Sequence, residues 1–275
     1  MGRIIAIVNQ KGGVGKTTTA VNLSACLGEF KQKVLLIDLD PQSNTTSGVG
    51  IDKYKVTEGI YKAIIGHHPL IGVIMHTEFK NLDVIPSTPD LAGAEVELLE
   101  IENRHNRLRE EIIPLKEKYD FIIIDCPPAL GQLTMNALSA SDSVLVPIQC
   151  DYYALEGLIQ LMKTIELVQR QMNTALEIEG MVMTMGDLRT NLARQVIEDV
   201  KNHFGDKMFK TVILRNITLS EAPGFGKPII YYDINSQGSK DYLSLAREVI
   251  TKNKETESGK ESAWERVGSD NPASG

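Results

Sequence analysis

The chain has 275 residues, 42% of them hydrophobic, with 36 acidic against 29 basic side chains and a net charge of −7. Its length and apolar content suit one large α/β domain with a full core, and the acidic balance argues against a protein coated in basic surface. The three cysteines, Cys26, Cys126 and Cys150, are scattered and form no C-x-x-C pair, so neither a disulfide framework nor a zinc site is expected.

The apolar run Ile4–Val8 reads as a first strand and leads into Lys11-Gly12-Gly13-Val14-Gly15-Lys16-Thr17-Thr18. Glycines let successive backbone N–H groups turn inward around a polyphosphate; Lys16 can neutralise β- and γ-phosphate oxygens, and Thr17 can offer its hydroxyl to Mg²⁺. The ordinary loop, G-x-x-x-x-G-K-[ST], wants glycine at position 10, where this chain has Gln10 and adds Lys11 ahead of the glycines. Ala20, Val21, Leu23, Ala25 and Leu27 give the following segment, Thr18 to Leu27, a helical pattern.

Further short β-branched runs occur at Val34–Ile37, Leu82–Ile85, Phe121–Ile124, Ser143–Pro147, Ile178–Met183 and Thr211–Leu214. Helical patterns lie at Pro89–Arg104, Gln132–Ala140, Ala154–Gln171, Thr190–Phe204 and Ser239–Lys252. The alternation predicts an α/β fold: a doubly wound, mostly parallel sheet with helices on both faces. The all-apolar Phe121–Ile124 is expected at its centre, and ligands at the strand ends. The phosphate-loop domain is expected to span residues 1–252, with residues 253–275, including the single tryptophan Trp264, as a disordered tail.

Asp38 and Asp40 follow the second strand and Asp125 follows the central one, which gathers three carboxylates around the phosphate loop. Carboxylates there serve Mg²⁺ and water, so Thr17, Asp38 and Asp125 are the expected metal residues, with Asp125 as the Walker B aspartate and Asp38 supporting the magnesium shell. The turn-rich segment Asp40–Gly48 and the segment Pro127–Gly131 read as two switches that respond to the γ-phosphate. No Asn-Lys-x-Asp or Thr-Lys-x-Asp motif follows, so ATP is expected over GTP.

On Asn9–Thr18, Asp38-Leu39-Asp40-Pro41-Gln42, Asp125-Cys126-Pro127-Pro128, Arg215-Asn216 and Glu221-Ala222-Pro223, the chain resembles the ParA/MinD group of P-loop ATPases with the deviant loop, most closely the ParA or Soj partition ATPases, over roughly residues 3 to 250. The resemblance implies hydrolysis of ATP with Mg²⁺, Asp40 orienting the attacking water, and Lys11 reaching the partner's nucleotide across a sandwich homodimer. Lys11, Lys16 and Asp40 are thus the expected catalytic residues, while the base is expected against Met185 through Arg189 and Arg215-Asn216. Many relatives carry proline at the position of Leu214. The resemblance also implies non-specific binding of double-stranded DNA through Arg189 and Arg215, and stimulation by a ParB/Spo0J-type partner on the nucleoid. Lys210, Lys227 and Lys240 join the DNA candidates on charge alone. Between residues 189 and 254 eleven basic residues face seven acidic ones, a local excess of +4 in an acidic chain. Such a face binds phosphates weakly and with strong salt dependence.

Three other readings share parts of this pattern. A MinD-like membrane-cycling ATPase would need an amphipathic C-terminal helix, but beyond Lys254 only Trp264 and Val267 are sizeable apolar residues. No apolar stretch approaches the ~18 to 20 residues of a membrane span, and the N-terminus enters its first strand without a charged leader; the expected location is the cytoplasm, with no membrane partner. A nitrogenase-reductase-like protein would hold a cluster on thiolates in the switches; Cys126 is suggestively placed and Cys150 is not. A third reading keeps the cycle and changes the cargo.

Overall fold

A computed structural model of the chain describes residues 2–151 and 154–269, with side chains to residue 256. Eight strands form one sheet in the order β3-β4-β2-β5-β1-β6-β7-β8. They are β1 Arg3–Ile7, β2 Val34–Asp38, β3 Met75–His76, β4 Leu82–Ile85, β5 Phe121–Asp125, β6 Ser143–Gln149, β7 Glu177–Gly186 and β8 Met208–Leu214. Only the two-residue β3 runs antiparallel, pairing with β4. The seven strands read from sequence are all present; β3 is too short to leave a periodic signal.

Eleven α-helices are present among the described residues: α1 Lys16–Glu29, α2 Asn44–Gly48, α3 Ile60–Ile64, α4 Leu91–Glu97, α5 Arg107–Ile112, α6 Gln132–Ala140, α7 Ala154–Gln171, α8 Asn191–Phe204, α9 Ile217–Glu221, α10 Ile229–Tyr232 and α11 Gln237–Ser269. Alternate side chains of each central strand feed opposite layers. Ile4 and Ala6 of β1, with Ile122 and Ile124 of β5, join the core under α3 to α8. Ile5 and Ile7, with Ile123, face α1, α10 and α11 instead. β5 is buried along its whole length, as a centre strand covered on both faces must be.

Two helical expectations change. The pattern read over Pro89–Arg104 breaks after α4 into a short 3₁₀ turn at Leu98–Glu100, and Asn103 takes the left-handed conformation (φ 57°) that stops a helix. At the other end α11 continues to Ser269, so no break in secondary structure falls at residue 252; residues 270–275 and the side chain of Trp264 lie outside the described residues. Among the described residues, no helix is long and apolar enough to cross a membrane.

Strand order positions the site. β2, β5 and β1 are neighbours, and Asp125 at the end of β5 is level with Asp38 on one side and Ile7 on the other. The phosphate loop leaves β1 there, so loop and carboxylates meet where three parallel strands end.

Candidate functional site

The loop from Asn9 to Gly15 is held by its surroundings. Asn9 Nδ2 donates to the Pro147 carbonyl at 2.7 Å, and Asn9 Oδ1 accepts the Lys11 N–H at 3.0 Å. Thr184 Oγ1 donates to the Val14 carbonyl at 2.8 Å, tying β7 to the loop. Gly13 and Gly15 have φ of 74° and 87°, a region glycine enters without strain. A methyl group on Gly12 or Gly13 would meet nothing within 4 Å, so the main chain there lies open to a ligand. Lys16 opens α1 and is buried, its Nζ donating to the Lys11 carbonyl at 3.1 Å. Burial lowers the pKa of that ammonium against the pull of Asp125.

Beneath the loop Thr17 Oγ1 and Thr45 Oγ1 both donate to Asp125 Oδ2, at 2.8 and 2.6 Å. Asp125 Oδ1 is buried and has no hydrogen-bond partner among the described residues. Burial pushes the Asp125 carboxyl up to about 6, and burial together with Asp125 pushes Asp38 up to about 7. A fully buried carboxylate with an orphaned oxygen beside a threonine hydroxyl fits a divalent cation, which would supply the missing positive charge. Mg²⁺ keeps several waters and takes one or two carboxylates plus substrate phosphates. Accordingly, the described residues contain no cluster of three or more His, Cys, Asp or Glu that could cage a metal.

Asp38 stands differently from the metal role expected of it. Its Oδ2 accepts Thr46 N and Thr46 Oγ1 at 2.7 and 2.6 Å, and its Oδ1 accepts Asp40 N at 3.2 Å. Its oxygens are committed to the first switch, so any support it gives a metal passes through that loop. The switch is also more ordered than its turn-forming composition suggested, since Asn44–Gly48 forms α2.

A cavity of about 380 Å³ brings Gly12, Gly13, Gly15, Lys16, Thr17 and Thr18 together with Asp40 and Pro128. The first switch and the Pro127-Pro128 segment thus both reach the phosphate position. Asp40 Oδ1 accepts the Gln42 N–H at 2.9 Å; its Oδ2 has no hydrogen bond among the described residues. Lys11, next in sequence to the cavity-lining Gly12, has 44% of its side chain exposed and pairs with Asp151 of its own chain.

A second cavity, of about 580 Å³, joins Gly15 and Thr18 to Met185, Arg215 and Asn216. Its walls include Pro223 of the Glu221-Ala222-Pro223 motif, together with Thr184, Ile213, Leu219 and Tyr242, none of which carries a motif. Tyr242 Oη lies 3.2 Å from Thr19 Oγ1, across 223 positions of sequence, a pairing that only the folded chain reveals. Leu214 lines the same wall, and Met185 sits there with φ of 53°, a left-handed conformation uncommon for a side-chain-bearing residue.

The DNA candidates separate into two places. Arg215 N–H bonds the Gly186 carbonyl, which sets the loops after β7 and β8 side by side and brings Arg189 and Arg215 to one edge. Arg189 is held bidentately by Asp187 at 2.8 and 2.7 Å, and the arginine pulls that carboxyl down to about 2. Lys227 is elsewhere, lining a cavity of about 420 Å³ with Thr17, Asn22 and Ser47 beside α1 and α2. There Gly50 and Gly226 meet main chain to main chain: a methyl on Gly226 would fall 2.8 Å from Gly50 Cα. The thiol of Cys126 is wholly buried and its pKa is raised by that burial.

Strand-loop-helix geometry, a buried lysine and paired carboxylates define a P-loop ATPase of the deviant-loop class. A family model described as an AAA domain matches residues 2–178. The chain is 58% identical over 249 residues to the sporulation initiation inhibitor protein Soj of Bacillus subtilis (strain 168), covering 90% of this chain and 98% of that protein. It is 54% identical over 250 residues to the chromosome partitioning protein ParA of Myxococcus xanthus (strain DK1622), covering 91% and 88%. Among solved structures, cobyrinic acid a,c-diamide synthase from Mycobacterium smegmatis with bound ADP and magnesium superposes with a TM-score of 0.79 at 34% identity, covering 90% of this chain and 93% of that one. The septum site-determining protein MinD of Pyrococcus horikoshii OT3, complexed with Mg-ADP, gives 0.74 at 28% identity, covering 90% and 96%. The chain belongs to the ParA/Soj family of chromosome-partitioning ATPases, whose cofactors are ATP and Mg²⁺.

Proposed function

We propose that this ATPase forms a sandwich dimer when ATP is bound, that the dimer holds duplex DNA without reading its sequence, and that a ParB-type partner triggers hydrolysis and release to drive chromosome or plasmid segregation on the nucleoid. The observation that carries the reading is the meeting of Lys16, Thr17 and Asp40 around one cavity, with Thr17 bonded to Asp125 and the partly exposed Lys11 next in sequence to the cavity-lining Gly12.

The residue roles follow from reach. Main-chain N–H groups of Gly12 to Thr18 cradle the phosphates, and Lys16 Nζ turns from the Lys11 carbonyl to the β- and γ-oxygens. Thr17 Oγ1 and the Asp125 carboxylate hold the metal, directly or through water. Mg²⁺, when bound, neutralises charge on the phosphates and fixes their position. Asp40 aligns the attacking water through Oδ2, the oxygen that Gln42 leaves free, and takes up its proton there. Lys11 leaves Asp151 to stabilise charge on the partner's nucleotide, which makes hydrolysis a property of two subunits. Met185, Arg215 and Asn216 enclose the base, while Arg189, Arg215 and Lys227 meet DNA phosphates.

The test is ATP turnover with and without duplex DNA of arbitrary sequence, alongside Asp40→Ala scored for ATP-dependent dimerisation and salt-sensitive DNA retention. Slow turnover, with a variant that dimerises and stays on DNA, is the expected result. Dimerisation without DNA retention would overturn the DNA arm of the proposal.

A further inference from the structure

Ser87 carries no motif and lies outside the phosphate cavity, in the segment after β4, yet it touches the first switch at two points. Its Oγ donates to the Asp40 carbonyl at 2.8 Å, and its N–H donates to Thr46 Oγ1 at 2.9 Å. Thr46 Oγ1 in turn donates to Asp38 Oδ2, and Asp38 Oδ1 accepts the N–H of Asp40. The four residues close a ring of hydrogen bonds, and all four are buried. Within it the peptide groups on both sides of the Asp40 Cα are fixed: the N–H by Asp38, the carbonyl by Ser87 and by the Ser43 N–H at 2.9 Å. With Oδ1 also tied to Gln42, little freedom remains to the carboxylate.

We propose that Ser87 is a positioning residue for the hydrolytic step, bracing Asp40 from outside the switch through a ring that includes Asp38 and Thr46. The inference rests on the reading of Asp40 as the water-aligning group. Of the two segments that hold the Asp40 carbonyl, the switch contributes Ser43 and moves with it, whereas Ser87 belongs to a loop fixed to the sheet by β4. Removing the hydroxyl opens the ring and leaves the Asp40 carbonyl held by the switch's own Ser43 N–H, without a bond to a segment outside the switch. A displacement near 1 Å at a group that aligns a nucleophile costs up to about a hundredfold in rate, without any change in how the ground state binds. ATP affinity is set by the loop and Lys16, which Ser87 does not touch.

The experiment compares single-turnover hydrolysis, ATP affinity and ADP affinity in the full chain for Ser87→Ala, Thr46→Val, Thr46→Ser and Asp40→Ala. Ser87→Ala and Thr46→Val are each expected to slow hydrolysis by about tenfold with both affinities within about twofold of the parent. Thr46→Ser, which keeps the hydroxyl, restores the parental rate, and the double variant Ser87→Ala/Thr46→Val is no slower than either single one, because one ring is broken once. Parental hydrolysis in Ser87→Ala while Asp40→Ala is inactive overturns the inference and leaves the reading of Asp40 standing. So does a loss of ADP affinity that matches the loss of rate, or fold-losses that multiply in the double variant. Parental hydrolysis in Asp40→Ala overturns the reading of Asp40 and the brace with it.

Discussion

The two ends of the ligand-facing edge are built on different principles. Over β2, β5 and β1 the ionisable groups are buried and wired to one another: Lys16 to the loop, Asp125 to two threonines, Asp38 to the switch. Over β7 and β8 the cations stand in solvent, and the Arg189 side chain pairs with its neighbour Asp187. Buried, pre-oriented charge acts through geometry and loses function when one atom is removed. Exposed charge acts through number and ionic strength, and each residue contributes a small, salt-screened share. An acidic protein can thus hold a basic edge that grips phosphates weakly while its nucleotide pocket stays exacting.

That contrast ranks the substitutions. Lys16→Ala is expected to lower ATP turnover by about a hundredfold or more, read by phosphate release, since among the described residues Lys16 is the one cation lining the phosphate cavity. Gly226→Ala forces a side chain into the left-handed region and against Gly50, and is expected to cost about 2 kcal/mol, close to thirtyfold in the folding equilibrium, measured by urea denaturation.

A pH effect of about tenfold follows at the two buried aspartates, Asp38 and Asp125. Burial raises Asp125 to about 6 and Asp38 to about 7, above the ~3.9 of an unfolded aspartate, so the folded, metal-free chain holds extra protons between about pH 4 and 7. Its thermal stability should fall as pH rises through that window. Mg²⁺ must displace the Asp125 proton, so its affinity should rise about tenfold between pH 5 and pH 7, measured by titration calorimetry with ADP present.

At the exposed edge the effects shrink. Arg215→Ala should weaken DNA retention about fivefold and reduce the slope of log affinity against log salt by about 1, with all sequences affected alike. Asp187→Asn releases Arg189 and should strengthen retention about twofold at low salt, a gain that disappears as salt rises. Losses at Arg215 as steep as those at Lys16 would erase the distinction between the two ends.

The same contrast governs what was legible in the chain. The phosphate loop and Asp125 act through residues adjacent in sequence or closing a strand, so spacing alone revealed them, and α6 and α7 begin and end where their patterns do. The cavity beside Met185 and Arg215 was only partly legible, because Thr184, Ile213 and Tyr242 come from separate elements and none is chemically distinctive alone. The switch helix α2 was invisible for a related reason: Asn, Thr, Ser and Gly favour turns, and bonds from Thr45 to Asp125 and from Thr46 to Asp38 support its helical turn. The helix read over Pro89–Arg104 failed in the opposite sense, since apolar residues at Leu98, Leu99 and Ile101 carry the spacing past the end of α4 at Glu97. Asp38 was placed near the metal for its charge and proves to be occupied by hydrogen bonds that no pattern of residues announces.

The contact between Gly50 and Gly226 bears on how such a chain can diversify. The segment after α2 and the segment before Lys227 touch there through main chain, so the junction does not depend on the side chains around it. Neighbouring surface positions such as Tyr54 and Phe225 are exposed and can be exchanged for other residues while the junction keeps its fit. A lineage could therefore refit its outer surface to new partners at little cost to the seam between pocket and surface, provided that both glycines stay.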